Sequence, residues 1–271
     1  MRTEFADFPL PARSSKPRTA GLSMMIDWGM GLERQKDTLA SAGDYVDIAK
    51  IAAGIARLMP ASLLREKLRH YEAHGIHTAP SGLFAELALK PGRYERFLEQ
   101  AVEAGFSGIE VSDNLLDLSP PDKAAAIRRA RAMGLSVYGE AGRKEGTMDD
   151  AALLRDVANC LDAGADRVFL EAAELFSANQ VRSSLIAALA REFPRERLIY
   201  ELPVVILPGV TRDYKHKITA WLVRELGTDV NLANIEWDEL YLTELVRLGF
   251  AGDTSHPQGA YRLAGMHARE A

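Results

Sequence analysis

The sequence predicts a single-domain (β/α)8 barrel of the TIM type, on three observations. Short apolar runs alternate with helical patterns about every 30 residues along the 271-residue chain, which is the rhythm of parallel strands joined by crossover helices. Eight such alternations can be traced, the number that closes this kind of sheet on itself. Four of the runs end on or near a glutamate, Glu110, Glu140, Glu171 and Glu201, at intervals of 30, 31 and 30 residues. An open doubly wound sheet is the competing arrangement, but it wants a Gly-rich phosphate turn after its first strand. Gly29-Met30-Gly31-Leu32-Glu33-Arg34 lacks the third glycine, and no GxxxxGK motif occurs.

In chain order, residues 1–20 carry three prolines and mixed charge and read as an irregular arm lying on the body. The barrel is expected over 21–254. Leu22–Ile26 is the first strand, ending at Asp27, and Arg34–Ala42 the first helix. Tyr45–Ile51 is the second strand. Ala61–Ala73 follows as a helix with Leu63, Leu64 and Leu68 on one face, stopped by Gly75. Ile76–Pro80 and Arg93–Ala104 form the third pair. Gly108–Ser112 is the fourth strand, and Pro120 opens a helix that runs to Met133 with Gly134 past its end. The later pairs are Ser136–Glu140 with Asp149–Ala163, Arg167–Glu171 with Ala178–Glu192, Leu198–Leu202 with Tyr214–Leu226, and Val230–Ile235 with Asp238–Leu248. The tail over 255–271 is expected to be loosely ordered.

Composition narrows the function classes. A net charge of −5 and a pI near 5.8 speak against a nucleic-acid groove or an anionic-membrane surface. The one cysteine, Cys160, falls in a helical stretch and reads as a small buried residue. The first residues lack the apolar core of a signal peptide, and the longest apolar run, Leu202–Val210, is too short to span a bilayer and holds Pro203 and Pro208. A cytoplasmic protein is the expectation.

Barrel chemistry gathers at the carboxyl ends of the strands. Here those ends carry Asp27, Lys50, Glu110 with Asp113, Glu140 with Arg143 and Lys144, Glu171, Glu201, and Asn231 with Asn234. So many carboxylates around one mouth need a compensating cation. An oxygen-rich set with few histidines suits Mg²⁺ or Mn²⁺, with Glu110, Glu140 and Glu171 as the expected ligands. Such an ion would bind a substrate carboxylate and stabilise an enolate, and a lysine of the same pocket would move the proton on carbon. Any one of these glutamates alone is as well explained by a salt bridge or a helix cap. Lys50, in mid-strand, needs a buried partner, and Asp47 is the partner expected. His70, His74 and His77 fall at the amino end of the third strand, the wrong face for a catalytic metal. Trp28 is expected to wall the pocket or pack in the core, and Val204–Leu207 to be a packed loop or a subunit contact.

Several stretches resemble the phosphosulfolactate synthase family. They are Lys16-Pro17-Arg18, Gly21-Leu22-Ser23 with Asp27, and Gly43-Asp44-Tyr45-Val46-Asp47 with Lys50. Further on come Ile109-Glu110-Val111-Ser112-Asp113, Glu140-Ala141-Gly142-Arg143-Lys144, Glu171-Ala172, Glu201 with Pro203, Val230-Asn231-Leu232, and Gly252-Asp253-Thr254. The resemblance implies an α/β barrel that uses Mg²⁺ to add sulfite to phosphoenolpyruvate. It implies Lys144 as the proton donor, with Lys50 as a second catalytic cation. Arg18, Asp27, Arg143, Glu201 and Asn231 become the expected substrate-binding residues, with Arg18, Lys50 and Arg143 neutralising phosphate or sulfite. A small anionic carboxylate is the implied substrate and a homo-oligomer the implied assembly.

The chain departs from the family pattern at anion-binding positions. Ala173 and Ala251 stand where arginines are expected, Ser81-Gly82-Leu83 replaces a Gly-Gly-Thr turn, and Arg143 replaces a lysine. Two other readings therefore stay open: a related barrel enzyme acting on a less anionic carboxylate, and a non-catalytic relative.

Overall fold

Parallel strands and helices alternate as the periodicity requires in the computed structural model, which describes residues 4–90, 92–144, 147–177 and 180–266. The strands are β1 (Ser23–Asp27), β2 (Ile48–Ile51), β3 (His77–Pro80), β4 (Gly108–Val111), β5 (Ser136–Ala141), β6 (Arg167–Leu170), β7 (Leu198–Glu201) and β8 (Leu232–Ile235). Backbone ladders join them in the order β3-β2-β1-β8-β7-β6-β5-β4, all parallel. The remaining seam, β3 against β4, is stitched by side chains instead: Thr78 N donates to Ser107 Oγ at 2.8 Å and Ser107 N to Thr78 Oγ1 at 3.3 Å.

The outer ring comprises α1 (Leu32–Ala42), α2 (Ala61–Ala73), α3 (Tyr94–Ala104), α4 (Pro120–Ala132), α5 (Asp150–Asp162), α6 (Ser183–Glu192), α7 (Arg212–Leu226) and α8 (Leu240–Leu248). Several starts have visible causes. Ser119 and Asp149 accept hydrogen bonds from the first-turn amides of α4 and α5, and Thr211 does so for α7.

Strand alternation divides the core in two. Met24, Ile48, Ala79, Tyr138, Phe169, Ile199 and Ala233 form one cluster inside the barrel, drawn from seven strands. The larger cluster, with Met25, Ala49, Ile109, Val137, Val168 and Ile235, lies between sheet and helices. Because side chains alternate, the residues two places beyond Ile48, Tyr138, Phe169 and Ile199 also face inward. These are Lys50, Glu140, Glu171 and Glu201.

Some expected boundaries move. Gly43–Tyr45 is a 3₁₀ turn, so β2 begins at Ile48. A helix not anticipated, Gly82–Leu89, lies between β3 and α3. The expected start of α6 at Ala178 lies outside the described residues. A two-stranded ribbon, Phe176–Ser177 with Gln180–Val181, precedes the helix at Ser183. The tail is better packed than its composition predicts: Gly252–Thr254 is a 3₁₀ turn, Ala260–Leu263 a helical turn, and Thr254, His256 and Ala260 are buried. The arm crosses the amino-terminal rim, where Arg13 pairs with Glu244 at 2.8 Å. No helix among the described residues is long and apolar enough to cross a membrane.

Candidate active site

The carboxyl-terminal mouth holds a buried acidic centre resting on an apolar floor. Oxygens of Glu140, Glu171 and Glu201 lie within 4.8 Å of one another, and all three residues are buried. Lys50 sits beside them with its ammonium 2.8 Å from Glu201 Oε1 and 3.0 Å from Glu110 Oε2, and 4.8 Å from the centre of the Phe169 ring. Lys144 closes the opposite side, pairing with Glu171 Oε2 and lying 3.5 Å from Glu140 Oε1. Its side chain is 38% exposed, whereas that of Lys50 is 8% exposed, so Lys144 is the cation a ligand can reach.

Gly142 brings Lys144 there. Its φ is +109°, and a Cβ at this position would fall 2.7 Å from Glu174 Cγ and 2.9 Å from Glu171 Cβ. Only glycine turns so tightly so close to a neighbouring strand end. Glu174, fully buried, then holds the loop by accepting from the amides of Arg143 and Met148 and from Arg182.

Four inward carboxylates and two ammonium groups leave an excess of two negative charges. The electrostatics show how the cluster accommodates this. Burial, reinforced by neighbouring carboxylates, pushes Glu110 and Glu171 up to about 8, even though Lys50 and Lys144 oppose the shift. Burial acts on Glu140 in the same direction, but Lys144, Lys50 and hydrogen bonds from Glu110 and Glu171 together bring its pKa well below the usual carboxylate range. Burial would lower both lysines; the surrounding glutamates override it and hold them above the usual lysine value. Proton uptake by Glu110 or Glu171, whose pKa values are both raised, is one way to relieve the charge. A divalent cation offers the same relief, and an all-oxygen donor set without His or Cys fits a hard ion.

The placement of several expected residues differs from the sequence reading. Glu201 joins Glu140 and Glu171 in the close triad, while Glu110, expected as a ligand, is turned to Lys50. Asp27 ends β1 but faces outward, as its odd register from Met24 dictates. It accepts from Gly29 N, Met30 N and Tyr71 Oη and pairs with Lys67 at 2.8 Å, so no acceptor site remains for substrate. Arg18 lies at the amino-terminal rim, 3.0 Å from Asp47. Asn231 lies there too, accepting from Leu22 N and donating to the carbonyls of Arg195 and Leu198 at 2.8–2.9 Å. Both are a barrel length from the mouth. Asp47 is not the partner of Lys50, since residues three apart on a strand point to opposite faces. Arg143, expected to bind substrate, is 45% exposed, pairs with Asp117 at 2.8 Å and lines a groove with Asp113, Lys123 and Asp156, on the α4–α5 side rather than among the glutamates.

The family model for (2R)-phospho-3-sulfolactate synthase (ComA) matches residues 11–253. The chain belongs to the phosphosulfolactate synthase family. A phosphosulfolactate synthase of Methanocaldococcus jannaschii is 31% identical over 245 residues, covering 86% of this chain and 93% of the relative. One of Methanothermobacter thermautotrophicus is 29% identical, covering 92% and 96%. The Arabidopsis thaliana protein HEAT-STRESS-ASSOCIATED 32 is 24% identical, covering 81% and 83%.

Within this phosphosulfolactate synthase family member, two buried groups at the site escaped the sequence reading. Asn114 donates to Glu140 Oε1 at 2.7 Å. Glu86 organises the turn that carries Asn114. The available signal was Glu86 itself, a lone charge within the apolar run Gly82–Leu89. Trp28 is half-buried beside the mouth and donates weakly to Glu236 at 3.4 Å.

Proposed function

We propose that this protein is a phosphosulfolactate synthase-like lyase that adds sulfite to phosphoenolpyruvate through an enolate-like intermediate, with Mg²⁺ as cofactor. The observation that supports it is the triad Glu140, Glu171 and Glu201 with Lys144 poised above it. The triad would hold the ion, and the ion, when bound, contributes positive charge toward a substrate carboxylate.

The residues of the chain then divide the remaining work. Sulfur of sulfite attacks the methylene carbon of the substrate. The C–S bond forms as the double-bond electron pair moves toward the adjacent carbon and carboxylate. Lys144, protonated and exposed enough to reach substrate, delivers its proton to that adjacent carbon and recovers one from solvent. Lys50 stays beneath, fixing Glu201 and Glu110 and adding positive charge from below. Arg143, exposed on the same loop as Lys144, would have to leave Asp117 to meet the phosphate or sulfite. The apolar floor of Phe169, Tyr138 and Ile199 keeps water from the underside, which strengthens each of these interactions.

Ala173 and Ala251, in place of two family arginines, favour a second reading, a carboxylate of lower charge processed by the same centre. Incubating the purified protein with Mg²⁺, phosphoenolpyruvate and sulfite, and following the sulfonate by NMR, tests the first reading. Product formation that Glu140→Gln and Lys144→Ala each reduce by about 10²–10⁴-fold is the expected result. No product from phosphoenolpyruvate, with turnover of an unphosphorylated analogue, transfers the proposal to the second. No turnover of either substrate refutes both.

A further inference from the structure

A carboxylate that takes no part in the chemistry holds the acidic centre from outside the barrel. Glu86, in the helix Gly82–Leu89, is 2% exposed. One of its oxygens accepts from Ser112 Oγ and from Asn114 N at 2.9 Å; the other accepts from Leu115 N at 2.8 Å and Leu116 N at 3.0 Å. Four donors fill its acceptor sites, and all four belong to the turn that leaves β4. Gly82 lets the helix backbone come this close, since a Cβ there would collide with Ser112 and lie 2.8 Å from Glu110 Oε1.

The same turn carries Asn114, whose Nδ2 donates to Glu140 Oε1 at 2.7 Å. With its nitrogen committed to Glu140, the amide oxygen of Asn114 is buried without a hydrogen-bond partner, in a residue 8% exposed. A buried acceptor left unpaired calls for a donor that the folded chain does not supply. Magnesium retains several waters when bound by carboxylates, and water hydrogens are such donors.

We infer that Glu86 is a positioning residue of the acidic centre: it sets the turn 112–116 so that Asn114 grips Glu140 and offers its oxygen to a water that accompanies the bound cation. The inference rests on the cation reading of the site proposed above. Its core, the chain from Glu86 through Asn114 to Glu140, is independent of it.

The test compares Glu86→Gln, Asn114→Ala and the double variant. The Glu86→Gln change presents an NH₂ group to donors that need an acceptor, at unchanged volume. Asn114→Ala keeps the backbone N–H that Glu86 binds and removes only the amide. Mn²⁺ affinity, measured by EPR of the free ion, is expected to fall about 10–100-fold in each single variant and no further in the double. Crystal structures of the variants are expected to show the Glu140 carboxylate turned away from Glu171 and Glu201. Additive losses would mean that Glu86 acts only as a distant charge, and would overturn the relay. Unchanged affinity with Glu140 in place would overturn it as well. If the wild-type protein binds no Mn²⁺, the cation reading fails and the position of Glu140 alone decides the relay. If Glu86→Gln does not fold, Glu86→Asp, which keeps the charge but shortens its reach to the turn, takes its place with the same expected losses.

Discussion

Replacing Lys50 by Met removes a buried charge while nearly conserving side-chain volume. The ammonium lies 2.8 Å from Glu201 and 3.0 Å from Glu110. At an effective dielectric constant near 20, each contact represents about 6 kcal/mol of gross attraction. Most of that is offset by the cost of taking lysine out of water, and breaking one side of a buried pair costs about 3–5 kcal/mol net. For a chain of this size, about 2–4 °C is lost per kcal/mol, so the melting temperature should fall by roughly 6–20 °C. The penalty depends on pH, with a defined sign. Lys50 opposes the upward shift of Glu110, which already reaches about 8, so its loss raises that pKa further. A carboxyl whose folded pKa is raised contributes stability that is present below its unfolded value and is lost as pH rises through the folded one. The variant should therefore be closest to wild type near pH 5 and furthest from it at about pH 9. Thermal unfolding in chelator, followed by circular dichroism at both pH values, measures this. A loss under about 1 kcal/mol at the higher pH, where about 3–5 is expected, or an equal penalty at both, refutes the assignment of Lys50 as the counter-charge of the centre.

The metal-free wild-type protein should itself lose stability as pH rises from about 4.5 to about 8, because Glu110 and Glu171 both titrate in that window with raised folded values. Saturating Mg²⁺ should raise the melting temperature and blunt the fall; a melting curve indifferent to Mg²⁺ counts against the cation site. Asn231→Ala should cost about 1–3 kcal/mol, since it orphans buried backbone groups at the amino-terminal rim, and neither it nor Arg18→Ala should change turnover per folded molecule. A large loss of kcat at unchanged stability would return either residue to the substrate site. Cys160 is 1% exposed, and burial pushes its thiol up to about 12. A thiol reagent at neutral pH should therefore label it only after denaturation, and rapid labelling of the native protein would contradict the packing of α5 on β5.

The parts of the site legible in the sequence are those that strand period controls. Glu140, Glu171 and Glu201 recur at the interval of one strand–helix unit, each two places beyond a residue of the inner cluster, so spacing alone carries them to one mouth. Asp27 shows the limit of reading strand ends without register: Met24-Met25-Ile26-Asp27 alternates, and the odd step sends its carboxylate to Lys67 and Tyr71 on α2. Arg18 and Asn231 carried motif likeness, yet their charge and amide serve the opposite rim, where backbone groups at the strand starts need partners.

The sequence by itself determined the closed parallel barrel, the inward ring of glutamates and the buried setting of Lys50 and Cys160. Each follows from local periodicity, which every residue reports about its own neighbours. Only the tertiary structure decided that Glu201 rather than Glu110 completes the triad, that Lys144 is more reachable than Lys50, and that hydrogen bonds link Glu86 to Glu140 through the turn carrying Asn114. Those relations join groups some 26 to 61 residues apart through turns whose geometry depends on what they pack against, and no pattern along the chain encodes a distance across it.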